Sequence, residues 1–182
     1  MGNTGQKPSW DLRWPDPVAI KVAGERLLPE VEKSGRELNW RLPVVVQMEF
    51  PPDSTALPRG LLVSPWGVER IYWGRPGKGT PPVRSALPLE PDEAGRVARG
   101  QGVLLTTETG ERPVVIAWEP ETGHHFVESL LSSVVCVLSV EEAIQRALGE
   151  AGPPAPARSI SSHLERPVGR RALFQLFRRK SS

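Results

Sequence analysis

A single cysteine, Cys136, stands among 182 residues, so no internal disulfide can form. That scarcity points to a reducing compartment. No apolar run comes near the roughly 18 residues that a membrane-spanning helix needs. The first residues lack the basic-then-apolar pattern of a secretory signal, and Gln6 stands where the myristoylation pattern wants Ser or Thr. These absences together lead us to expect a cytoplasmic protein. Histidine is scarce too. His124 and His125 are adjacent and project in different directions, and His163 lies far along the chain, so no Cys/His set has a recognisable zinc spacing. The reading expects no metal and no cofactor. No internal repeat of about 20 residues or more is present.

Proline is abundant, with 20 residues, about twice the usual share. The prolines gather in the first 17 residues, near 51–58, in 76–91 and in 153–167, which marks those stretches as loops and linkers. Hydrophobic residues make up 38%, low for a chain packed from end to end. The net charge is +2, but residues 170–182 hold five basic side chains and no acidic one. The remaining 169 residues carry 18 basic against 21 acidic residues. A mildly acidic body argues against nucleic-acid binding by the domain itself.

Asp16-Pro17 reads as a helix start, with Asp as cap and Pro at the first position. Ile20, Ala23, Leu27 and Val31 then form one apolar face, with Pro29 kinking or splitting the helix before Gly35. Val44 to Phe50 alternates as a strand, with Val44, Val46, Met48 and Phe50 on one face. Leu61–Ser64 and Val68–Trp73 form a hairpin around Pro65-Trp66-Gly67. Glu90 to Gly100 reads as a short helix. Val103–Thr107 and Val114–Trp118 form a second hairpin, and Val134–Leu138 is a third apolar run, which leaves two or three strands in this half. Ser139 and Glu142 make a capping box ahead of Ala143, Ile144, Ala147 and Leu148.

The fold class expected is α+β. An antiparallel or mixed sheet of about five to six strands carries three helices. An extended arm, 1–15, precedes the domain, 16–150. A disordered proline-rich linker, 151–169, and a basic amphipathic tail, 170–182, follow it. In the order of its elements the domain is similar to the small dimeric chaperones of bacterial secretion systems. That resemblance implies a protein client and a homodimer.

Arg170, Arg171, Arg178 and Arg179 fence Leu173, Phe174, Leu176 and Phe177. In a helix these apolar residues share a stripe. Burying each is worth about 1.5–3 kcal/mol, so the stripe favours docking. The preferred destination is a partner protein's groove, with the four arginines steering. An anionic membrane surface, nucleic acid, or the chain's own domain are the alternatives. Gln175-Leu176-Phe177 also resembles the core of sliding-clamp-binding peptides. The preferred function is a non-catalytic adaptor or chaperone-like module. The rival is a small thiol enzyme using Cys136 with His124 or His125. The uniformly apolar neighbours of Cys136 favour a buried structural thiol, and Gly123 suggests that the histidines sit in a solvated turn. Gly74 to Thr80 is similar to a phosphate loop, but Gly79 separates Lys78 from Thr80 and Pro81-Pro82 follows where a helix must start.

Overall fold

The computed structural model describes residues 7–49 and 55–150. Phe50, His163, the linker and all eight tail residues expected to bind lie outside them.

α1 spans Pro17–Lys33. The Asp16 carboxylate accepts the Ala19 amide at 3.0 Å, which caps the helix as expected. Pro29 neither splits nor ends it. It stands exposed, where water can serve the carbonyl that the missing amide leaves free. Ser34 donates back to the Glu30 carbonyl, and Gly35, at φ +76°, ends the helix.

Seven strands follow: β1 Val45–Glu49, β2 Arg59–Ser64, β3 Gly67–Trp73, β4 Val83–Arg84, β5 Gly102–Thr107, β6 Gly110–Glu119 and β7 Gly123–Leu131. They form one sheet in the order β1-β2-β3-β7-β6-β5-β4, with every pair antiparallel. α2, Val140–Glu150, closes the described domain. Half of its capping box forms as expected, with Ser139 Oγ accepting the Glu142 amide at 3.2 Å, while the Glu142 carboxylate reaches one residue farther and accepts the Leu138 amide at 2.7 Å.

The two faces of the sheet are covered differently. Val44, Leu62, Ile71 and Trp73 pack with Ile20 of α1 on one face. Gly24 brings the helix close, since a Cβ there would lie 3.0 Å from Val44. On the other face, Val63, Val68 and Leu131 pack with Ala143 and Ala147 of α2. Farther along that face, Tyr72, Phe126, Val114 and Ile116 lie beneath Trp10, Leu89 and Val97. Residues 7–15 are extended, and Trp10 packs against His124 and Phe126, while Trp14 points into solvent.

The chain is therefore α+β, with seven strands and two helices among the described residues. Three expectations are corrected. Residues 90–100 form no helix. Asp92 instead accepts the amides of Ala94 and Arg96, both at 2.9 Å, and Gly95 takes φ +73°, so a side-chain-closed turn replaces the helix start. The element order behind the chaperone resemblance is consequently not the one found. Residues 134–138 form a turn, with Val134 and Val137 inward and their carbonyls accepting from Asn39 at 2.8 and 2.7 Å. That side chain supplies what a neighbouring strand would have supplied. Finally, residues 123–131, expected to begin as a solvated turn, are β7, at the centre of the sheet.

Candidate functional site

Cross-strand register aligns one row of side chains beneath α1. Leu62 pairs with Glu69 and Glu69 with Ser129; Ile71 pairs with Val127, and Val127 with Val115; Trp73 pairs with His125, and His125 with Ala117. Side chains alternate along a strand, so these residues share the α1 face. Opposite them α1 sets Ile20, Ala23, Gly24 and Leu27. Between helix and strands runs a groove enclosing about 100 Å³, with Trp66 and Pro113 among its walls.

The walls are almost wholly apolar, and the polar groups sit at two ends. Glu69 and His125 are four residues apart in register, so about 13 Å of sheet separates them. They cannot act as one acid–base pair. Glu69 is 6% exposed and makes no hydrogen bond or ion pair among the described residues. Burial pushes its carboxyl up to about 7, against a smaller opposing pull from Arg36. Arg36 spends its guanidinium on the Trp66 and Ser132 carbonyls, at 2.8 and 2.7 Å. His125 is likewise buried, and burial holds its imidazole down at about 4 against the hydrogen bond to the Gly123 carbonyl. With Nδ1 donating to that carbonyl at 3.1 Å, Nε2 is left as an acceptor.

The contrast lies on the opposite face. Glu49, Arg59, Arg70, Arg112, Glu108 and Glu128 alternate in sign and are all paired. Arg70 reaches Glu49 at 2.9 Å, Arg59 reaches both Glu49 and Glu108, and Arg70 and Arg112 approach Glu128 at 3.8 and 3.7 Å. Tyr72 donates to Glu128 at 2.8 Å, and burial followed by the Glu128 charge pushes its phenol up. Every charge of this ladder faces one of opposite sign, whereas Glu69 makes no ion pair among the described residues.

No protein-family model matches the chain, and no curated protein matches it. Among solved structures it is similar to the solution structure of HybE from Escherichia coli, at 16% identity and a TM-score of 0.40. The likeness covers 72% of this chain and 85% of that one. At that level the geometry alone must carry the functional argument.

That geometry disperses the thiol-enzyme set. His124 and His125 are both buried on β7, one on each face of the sheet. Cys136 is exposed in the turn beyond Leu131, which itself lies about 20 Å along β7 from His125. The expected burial of Cys136 is therefore overturned. The turn directs Val134 and Val137 inward and Cys136 outward. The expected solvation of the two histidines is overturned too, because β7 carries both into the sheet. Gly74 to Thr80 is a loop followed by β4, with no helix to aim amides at phosphate. Among the described residues no three His, Cys, Asp or Glu side chains gather into a metal site, and no helix is long and apolar enough to cross a membrane.

Glu69 had a signal in the sequence. Alternation from Ile71 and Trp73 places it on their buried face. The groove opposite it had none, because it arises from the approach of α1 to strands made 90 residues later.

Proposed function

We propose that the chain is a non-catalytic, chaperone-like protein-binding module whose α1 groove receives an extended apolar segment of a partner. The observation that carries this reading is the groove itself: apolar along its length, bounded by one helix and three central strands, and without a nucleophile set beside a base. The half-exposed side chains of Leu27, Val115 and Val127 extend the apolar surface at its mouth. A segment laid there would bury them, at about 25 cal/mol for each Å² removed from water. In this reading the C-terminal segment is a second docking element, with Leu173, Phe174, Leu176 and Phe177 as anchors and Arg170, Arg171, Arg178 and Arg179 steering. The domain then works as an adaptor with two contact surfaces.

The test is binding of labelled, extended apolar peptides to the full chain. Ala23→Phe fills the groove from the helix side, and the expected result is loss of binding with the fold intact by circular dichroism. Unchanged binding by the filled variant would sink the groove reading. Removal of residues 170–182 should weaken only the second contact, and unchanged partner binding after that deletion would dismiss the role of the tail.

A further inference from the structure

Two buried polar groups of the groove lack a partner among the described residues: the indole N–H of Trp66 and the carboxyl of Glu69, the only one of the two that can carry charge. Glu69 lines the groove, is almost fully buried, and has no hydrogen-bond or ion-pair partner among the described residues. A buried carboxyl without a partner is costly unless something supplies a donor or a positive charge. Among the described residues no Lys or Arg lines the groove, Arg36 acts on Glu69 only from a distance while bound to two carbonyls, and the other acid, Glu119, lies toward the opposite end near Gly123. The shape adds a second constraint. The space between helix and sheet is narrow, about 100 Å³, that of roughly three waters, and it opens at its mouth. A slender aliphatic chain fits such a space without displacing either wall.

We infer that the groove takes a lysine side chain carried by an extended apolar segment of a partner protein, with its stem between Leu27 and Val127 and its ammonium on the Glu69 carboxyl. This rests on the groove reading above and names the chemistry of its occupant. Lysine combines what the site asks for: a flexible four-carbon stem that is buried readily, and a compact head with three donors. Ser129, directly across from Glu69 in register, offers a further acceptor for that head. An incoming ammonium would favour the ionised form of Glu69, which burial otherwise disfavours. A segment is favoured over a free amine because the apolar surface continues past the enclosed part onto Pro113 and Val115 at the mouth. Only flanking residues of a chain would cover it.

The experiment uses the full chain and a fluorescein-labelled hexapeptide of leucine and valine with one central lysine, followed by anisotropy at neutral pH. Two further peptides replace the lysine with norleucine, which keeps the stem without the head, and with acetyl-lysine, which keeps the nitrogen without the charge. The lysine peptide should bind roughly ten- to hundredfold tighter than either, the range expected for a charge-assisted hydrogen bond. Glu69→Gln should erase that preference while leaving norleucine binding unchanged. Equal affinity for all three peptides, lost on Ala23→Phe, overturns the lysine assignment and leaves the apolar groove standing. Absence of binding by every peptide overturns both. Butylamine binding as tightly as the peptide would make the site a pocket for small amines and overturn the proposal. The described structure stops before the lysine of the tail, Lys180. If Lys180→Met alone raises affinity for the lysine peptide tenfold, the natural occupant is that side chain, and the partner assignment fails.

Discussion

Asp11 and His124 hold each other twice: the Asp11 amide donates to His124 Nδ1 at 2.8 Å, and the His124 amide donates to the Asp11 carbonyl at 2.7 Å. His124 Nε2 in turn faces the Val97 carbonyl at 2.9 Å. The ring is therefore neutral, with its proton on Nε2, and it ties the N-terminal arm to the loop before β5. Burial, the largest influence, lowers its affinity for a second proton. A histidine depressed in the fold stabilises it above the ordinary imidazole range, and that contribution is lost as pH falls through the folded-state value. We expect the arm to loosen on acidification, read as faster exchange of the Asp11 amide after correction for intrinsic rates. His124→Leu should remove the dependence and cost about 2–3 kcal/mol in urea unfolding, because two backbone groups lose their partner.

Gly123 lies beneath the same arm. It takes φ +63°, and a Cβ there would stand 2.5 Å from the Asp11 carbonyl. Gly123→Ala should cost more than the roughly 1 kcal/mol of an ordinary left-handed alanine, since the arm must also move. Thermal unfolding and the emission of Trp10 check it; an unchanged melting temperature would contradict the close approach.

Glu69 and His125 pull stability in opposite directions. A carboxyl raised to about 7 gives its full benefit below its unfolded value near 4.5 and loses it as pH rises toward 7. A histidine lowered to about 4 gives its full benefit above 6.5 and loses it as pH falls toward 4. Each effect is on the order of 3 kcal/mol. The intact protein should show a nearly flat profile between pH 4.5 and 6.5 from this pair. Glu69→Gln should expose a rise across that window, and should be the more stable protein at pH 8. A flat profile in the variant would show that His125 is not buried as neutral imidazole.

Cys136 should react with a maleimide in the native protein without waiting for unfolding, because it is exposed. Mass spectrometry at successive times in native buffer and in urea checks this. A reaction seen only in urea would place the thiol inside.

Ser139→Ala removes the acceptor of the Glu142 amide, and the expected cost is about 1 kcal/mol by urea unfolding. No effect would mean that Glu142, bonded to the Leu138 amide, holds the start of α2 alone.

The parts of the fold legible in the sequence are those whose cause is local. Asp16-Pro17 starts α1, Pro65-Trp66 turns β2 into β3, Glu108-Thr109 turns β5 into β6, and Ser139 caps α2. β7 was hidden because its polar residues are satisfied from a distance: His124 by Asp11 and Val97, and Glu128 by Tyr72. Their burial cannot be read from neighbours along the chain. The turn at 92–96 was hidden by an ambiguity, since Asp opens helices and closes turns with the same oxygen. The site was partly legible in the same sense: the strand that holds Glu69 was, and the helix wall facing it was not.

β7 stands between β3 and β6, so the order of synthesis matters. The first meander, residues 45–73, is complete on the ribosome long before residue 131 appears, and until then β3 has an open edge of unpaired amides and carbonyls. Such an edge invites pairing with a second nascent copy. Insertion of β7 joins the two halves, and the arm can latch only after His124 is in place. A lower level of expression, which keeps unfinished copies apart until the last strand is made, should therefore raise the soluble yield.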